Sequence, residues 1–313
     1  MSNLGTLLVV VAALLLGAAA LSLAGRWWIE RQVPAIGHFI EVDGIRLHYV
    51  EAGSGPTLVL LHGASSNLRD LATSLLPELA ADFRVIAFDR PGYGYSERPA
   101  GDEWPDPARI AQLVLDASAR LGADRPVLVG HSWAGAVVMA ALVEMPERLR
   151  GGVLLGGVAG HWAGPVDWTY AVGGLPVVGP VFAYTTVFPA GMMLMEPTVQ
   201  RVVAPSAVPP GYISNIGARL ALRPRSFLRN VQDMNRLSEY LQALSPRYDT
   251  IPLPLLLVHG EADELVPFWN HGRRLLPVVS RVQPVMIPGA GHALHHTHTD
   301  AVAEAIRGFA RAE

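Results

Sequence analysis

Cysteine is absent from this chain of 313 residues, and so is lysine, all 24 basic residues being arginine. Without cysteine there is no disulfide framework, no thiolate nucleophile and no Cys-ligated zinc or iron–sulfur centre. Without lysine, Schiff-base chemistry and the phosphate-gripping lysine of a P-loop are excluded. Charge is scarce too, 16% of residues, with a net charge of −3 and no basic block. The electrostatic footprint of a nucleic-acid-binding protein is therefore missing. What the chain has in plenty is apolar side chains, half of all residues, which argues against disorder and supplies one large core or two modest ones.

Part of that apolar content lies in one run. Leu4 to Gly25 carries no charge before Arg26. A hydrocarbon core of about 30 Å takes about 20 helical residues, whereas the apolar region of a signal peptide spans about 7–15. Trp27 and Trp28, beside Arg26 and Arg31, stand where an interfacial aromatic belt belongs. Residues 1–25 are therefore expected to be a single transmembrane anchor. The competing reading is a cleaved signal peptide, for which Ser22 and Ala24 offer a small-x-small site, but no basic segment precedes the run. With the nearby arginines all after the span, the positive-inside rule favours a cytoplasmic body, though Glu30 partly offsets them.

Beyond the anchor, strand and helix patterns alternate. Phe39–Val42 and Arg46–Glu51 alternate about Asp43-Gly44, as an antiparallel hairpin does. Thr57–Leu61, Arg84–Phe88, Val127–Val129 and Val153–Leu155 are short apolar runs suited to buried parallel strands, with helical patterns at Ile110–Leu121 and Ala134–Glu144. From about Gly160 to Arg247 prolines such as Pro176, Pro180, Pro189 and Pro197 interrupt Trp-, Met- and Phe-bearing segments, and strand pattern disappears. It returns at Leu253–His259 and Val282–Ile287, before a closing helix from Asp300 to Ala312. The pattern predicts an α/β fold: a doubly wound, mostly parallel sheet over residues 26–160 and 248–313, with a helical cap at 161–247 inserted above the crevice where open α/β sheets bind ligands.

The strand at Val127–Val129 runs into Gly130-His131-Ser132-Trp133-Ala134-Gly135 and then a helix. A serine on a sharp strand-to-helix turn, with small residues two places before and after, projects its Oγ above the sheet. The usual G-x-S-x-G pattern is altered here by Ala134 in the last position. Asp263, in a polar loop after the restored strand, and His292, in Pro288-Gly289-Ala290-Gly291-His292, complete the order Ser, Asp, His. Serine is a weak nucleophile unless an imidazole takes its proton and a carboxylate fixes the tautomer of that imidazole. Ser132 is thus expected to be the nucleophile, His292 the base and Asp263 its orienting acid, with Glu261 a competitor for the acid role. The oxyanion would meet the backbone N–H groups of Trp133 and Ala64, the latter after Leu61-His62-Gly63, with Ser65 the alternative if the loop register shifts by one.

These motifs, together with Phe88-Asp89-Arg90-Pro91-Gly92-Tyr93-Gly94-Tyr95-Ser96-Glu97-Arg98-Pro99, resemble those of the α/β-hydrolase superfamily, in its membrane-anchored bacterial esterase-like branch. The resemblance covers the chain from about Phe39 to its end. It implies that the Phe88–Pro99 loop shapes the core and pocket wall without chemistry of its own. Haloalkane dehalogenases and epoxide hydrolases, which share that loop, use an aspartate nucleophile, and Ser132 argues against both.

The expected activity is cleavage of a small, apolar carboxylic ester through an acyl-enzyme at a membrane, with no cofactor, no metal and no nucleic-acid partner. The same triad could open a thioester, lactone, amide or C–C bond or act as a perhydrolase, and a non-catalytic carrier of a lipophilic molecule is the rival from another class. His295, His296 and His298 follow His292 closely, but His-x-x-His spacing without a third carboxylate ligand is weak evidence for metal, and a solvated loop is expected for all three. Trp162, Trp168, Tyr170, Phe182, Tyr184, Phe188, Met192, Met193 and Met195 are expected mainly to pack the cap, some of them lining an apolar pocket.

Overall fold

The short apolar runs become strands because a parallel strand covered on both faces needs no alternation of polar and apolar residues. In a computed structural model, which describes residues 3–99, 104–164 and 167–313, β1 (His38–Val42) and β2 (Ile45–Ala52) form the expected hairpin. Its turn residues Asp43 and Gly44 both have positive φ, 52° and 73°, the turn geometry that matches the twist of paired strands. The chain continues through β3 (Thr57–Leu61), two short helices α2 (Arg69–Ala72) and α3 (Leu75–Leu79), and β4 (Arg84–Phe88). A longer helix precedes β5 (Val127–His131), another follows it, and β6 (Gly151–Leu155) closes the first part of the sheet. Those two helices are α4 (Pro107–Arg120), started by Pro107 and capped by Asp106 Oδ1 accepting from the Arg109 amide at 2.8 Å, and α5 (Gly135–Glu144).

The proline-rich block between β6 and β7 is helical: α6 (Trp168–Gly173), α7 (Val178–Thr185), α8 (Val187–Val203), α9 (Tyr212–Asn215) and α10 (Pro224–Leu244). Its prolines sit where helices start or bend, Pro224 opening α10 and Pro197 lying inside α8. Then come β7 (Leu255–Gly260), α11 (Gly272–Leu275), β8 (Val282–Ile287), α12 (Leu294–Thr297) and α13 (Thr299–Ala312).

The eight strands form one sheet in the order β1-β2-β4-β3-β5-β6-β7-β8, antiparallel at β1/β2 and β2/β4 and parallel elsewhere. Alternate residues sort to two cores. Val59, Leu61, Ile86 and Phe88 pack with α4 and α5, while Leu58, Leu60, Val85 and Ala87 pack with α2, α3 and α13. Each such fully buried Val, Leu, Ile or Phe side chain contributes about 1.5–3 kcal/mol.

The apolar N-terminal run belongs to a longer helix than its composition suggested. α1 spans Asn3–Gln32, passing Gly25 without a break. Its most apolar 18-residue window has a mean hydropathy of 2.7 and is almost wholly exposed, so it is long and apolar enough to cross a membrane. Its C-terminal turns instead join the body. Ile29, with Val33 just beyond, is buried against Val187, Leu220 and Leu222, and Phe182, Phe188, Met192 and Met195 pack around them. A Cβ on Gly25 would lie 2.3 Å from the Phe188 ring, so only glycine permits this approach. Several of the insertion's aromatic and methionine residues thus pack on the base of α1, away from the sheet.

Candidate active site

Ser132 follows the last residue of β5 with φ at +53°. That region costs an L-residue about 1–2 kcal/mol and persists only where its surroundings enforce it. They do so here through close backbone packing. Added Cβ atoms would fall 2.9 Å from Ser132 Cβ at Gly63, 2.5 Å from the Ala134 carbonyl at Gly130 and 2.7 Å from the Val158 amide at Gly135. The Ser132 carbonyl accepts from the Val158 N–H at 2.9 Å. Ala134 is fully buried, and the tight approach to the 157–158 backbone falls on Gly135, which is why alanine replaces the last glycine of the usual pattern without strain.

Asp263 and His292 are brought together. His292 Nδ1 donates to Asp263 Oδ2 at 2.8 Å, while Oδ1 accepts the amides of Leu265 at 3.0 Å and Val266 at 2.9 Å. Burial opposes ionisation of the Asp263 carboxyl, but its hydrogen bond to His292, the charge on that ring and the Val266 amide together hold its pKa below the usual value. His259, its own pKa lowered by burial, braces the loop by donating Nε2–H to the Val266 carbonyl at 2.8 Å. Glu261, the competing acid, is exposed. Gly156, at φ +50° just after β6, lies against the pair, and a Cβ there would be 3.1 Å from Asp263 Oδ2 and 3.5 Å from His292 Nδ1. Ser132 Oγ makes no hydrogen bond to His292 in this structure. Catalytic contacts of this kind often tighten only when substrate is bound.

Of the two loop amides considered for the oxyanion, that of Ser65 is already engaged, donating to Asn230 Oδ1 at 2.8 Å, whereas the Ala64 amide has no partner among the described residues. Asn230 also accepts from Tyr93 Oη at 3.2 Å and donates to Tyr170 Oη at 3.2 Å, so Tyr170 is one insertion aromatic that faces this loop. One turn further along α10, buried Asp233 accepts from Tyr93 Oη at 2.8 Å, from Trp104 Nε1 at 3.1 Å and from Arg90 and Arg98 at 3.3 Å. Fully buried Arg90 in turn donates to the carbonyls of His62 and Gly63 and stacks over Trp133 at 4.1 Å. A single helix of the insertion is thereby fastened to the loop at Gly63–Ser65, to the residue after Ser132 and to the Phe88–Pro99 loop. The one signal in sequence was polar Asn230 and Asp233 beside Val231, Met234 and Leu237 on an amphipathic helix.

His62 belongs to the same network. Its Nδ1 donates to the Gly63 carbonyl at 2.9 Å and its Nε2 accepts the Arg90 amide at 3.0 Å. Burial, then the Arg90 charge, lowers its pKa to about 4.

The histidines after His292 require a correction. They do not form a solvated loop: His295 is fully buried, His296 largely so, and both direct Nε2 at Asp70 Oδ1, at 3.2 and 2.8 Å. Nothing in the neighbouring sequence signals the carboxylate, because Asp70 lies 225 residues away, on α2. His298 is partly buried, its Nδ1 against Thr297 Oγ1 at 2.9 Å.

The sequence profile of the alpha/beta hydrolase family matches residues 58–305, which takes in the elbow, the acid loop and the histidine loop. The chain belongs to that family. Among its relatives, 2-hydroxymuconate semialdehyde hydrolase of Pseudomonas sp. (strain CF600) is 29% identical over 287 residues, covering 88% of this chain and 94% of that protein. Haloalkane dehalogenase 2 of Mycobacterium tuberculosis (strain ATCC 25618 / H37Rv) is 29% identical over 277 residues, 83% and 90% of the two chains. Among solved structures, a membrane phospholipase A described as a bacterial virulence factor superposes with a TM-score of 0.70 at 23% identity, covering 98% of this chain and 96% of that one. That match takes in most of α1 as well as the α/β-hydrolase body.

Proposed function

We propose that this α/β hydrolase cleaves a carboxylic ester through an acyl-enzyme, with Ser132 as nucleophile, His292 as base and then acid, and Asp263 orienting the imidazole. The observation that carries the reading is the buried Asp263–His292 bond in the loops beside a serine held at positive φ. In the first half-reaction Ser132 Oγ bonds to the ester carbonyl carbon as His292 Nε2 takes its proton. The amides of Trp133 and Ala64 receive the negative charge that develops on the carbonyl oxygen. Collapse breaks the C–O bond to the alcohol, which leaves with the proton from His292. Water, deprotonated by the same imidazole, then releases the acid and restores the serine. The block at 161–247 serves as the cap.

The membrane enters the same reading. Exposed apolar residues of α7 and α8, among them Val178, Met193 and Leu194, lie on helices that pack against the base of α1. With α1 across a bilayer, they would rest at its surface and favour a lipophilic acyl ester.

A second reading is favoured by the likeness to the semialdehyde hydrolase: the same residues would cleave a C–C bond beside a carbonyl. The dehalogenase likeness has less force, because the family resemblance implies an aspartate nucleophile for such enzymes and the elbow of this chain carries Ser132. A fluorophosphonate probe is expected to label the folded protein once, at Ser132, and Ser132→Ala to abolish hydrolysis of p-nitrophenyl esters. An unlabelled, folded protein would refute the serine mechanism. Turnover of a vinylogous diketone with no turnover of esters or thioesters would move the assignment to C–C hydrolysis.

A further inference from the structure

Behind the serine elbow lies a second cluster of ionisable groups, which the proposed reaction does not use. Asp70, His295 and His296 each offer one donor atom, all within 4.8 Å of one another, and His131 Nδ1 stands 3.7 Å from the other Asp70 oxygen, Oδ2. We propose that these four residues hold a divalent transition-metal ion of the zinc type.

His131 Nε2 faces the His292 carbonyl at 3.2 Å, a contact that requires the ring proton on Nε2. Nδ1 of the neutral ring is then a bare lone pair, buried and without a hydrogen-bond partner, facing a carboxylate oxygen. Two acceptors opposed in this way repel unless a cation lies between them. Around the other oxygen, Asp70 Oδ1 stands 3.2 Å from His295 Nε2 and 2.8 Å from His296 Nε2. Zinc–nitrogen and zinc–oxygen bonds of about 2.0–2.1 Å in a tetrahedron place neighbouring donors about 3.3–3.4 Å apart. Both separations at Oδ1 are shorter than that edge, and the three donor atoms all lie within 4.8 Å of one another, so one ion comes within reach of all three once the side chains open around it.

An entry path exists, because His296 lines a surface groove of about 340 Å³ together with Tyr212, Ser74, Glu78 and Thr299. The ion would tie α2 and α12 to the end of β5, stiffening the residue before Ser132 from behind.

The test uses the full-length protein in detergent, stripped with a chelator and reloaded with Zn²⁺ or Co²⁺, and none of its readouts depends on turnover. The reloaded protein is expected to retain about one Zn²⁺ per chain, to melt about 2 °C or more higher than the stripped form, and to show with Co²⁺ the visible bands of a four-coordinate site. His296→Gln, at the accessible edge, and Asp70→Asn, at the centre, are each expected to weaken Zn²⁺ at least about tenfold, with circular dichroism confirming the fold. Failure of the stripped wild type to bind either ion would overturn the proposal. So would equal binding by wild type and the folded His296→Gln protein, which would place the ion elsewhere.

Discussion

Replacing Asp263 by asparagine tests the proposed mechanism most sharply, because the structure dictates how the new side chain must sit. Asp263 Oδ1 accepts two backbone amides, from Leu265 and Val266, and Oδ2 accepts one proton from His292. An asparagine that kept its oxygen toward the two amides would turn its NH2 group toward His292 Nδ1. The opposite flip would set that group against two N–H donors, leaving buried donors unpaired at about 1–3 kcal/mol. The first orientation wins, and it requires His292 Nδ1 to become the acceptor. The ring proton then moves to Nε2, and that nitrogen can no longer take the proton of Ser132 in the proposed reaction. In a serine protease the same change lowers kcat by about 10⁴, equivalent to about 5.5 kcal/mol of transition-state stabilisation. Asp263→Asn is expected to lose activity on p-nitrophenyl esters by that order with an unchanged circular-dichroism spectrum, whereas Glu261→Gln, at an exposed position, is expected to lose less than about tenfold. A folded Asp263→Asn protein within tenfold of wild type would refute this account of the pair. A crippled Glu261→Gln beside a mild Asp263→Asn would transfer the acid role to Glu261.

Gly156→Ala places a Cβ 3.1 Å from Asp263 Oδ2 at a φ of +50°, so it is expected to lower kcat at least about tenfold and stability by about 1–2 kcal/mol, read from kinetics and urea midpoints. An unaltered kcat would show that the Asp263–His292 pair yields freely. His62 and His271, both buried and each with its pKa lowered by burial to about 4, stay neutral in the fold while the unfolded chain takes up protons near pH 6.5. Their stabilising effect is complete above that pH and is lost as pH falls toward 4, by about 3 kcal/mol each. Urea midpoints should therefore fall steadily between pH 6.5 and 4.5, and a flat profile would refute the assignment. Full-length protein is expected to resist carbonate extraction from membranes, and a mature N-terminus found near Arg26 would instead mark the apolar run as a cleaved signal.

Much of this was written locally. The strands β3, β4 and β8 fall at the ends their apolar runs implied, because a run bounded by Gly, Pro or charged residues is both the sequence signal and the physical limit of a buried strand. The order of Ser132, Asp263 and His292 and the small residues of the elbow were legible for the same reason: each answers to the geometry of its own turn. Where those loops converge was not. That Ser65 spends its amide on Asn230, that Asp233 draws Arg90, Arg98 and Tyr93 onto one helix, and that Phe188 closes on Gly25 all depend on residues far apart in the chain. The histidines after His292 show the difference most plainly. A polar, His-rich stretch reads as solvated when its neighbours in sequence are all that is known, since burying such groups is unfavourable without partners. Only the tertiary fold brings Asp70 and His131 to meet them, and with those partners the same residues belong to the interior.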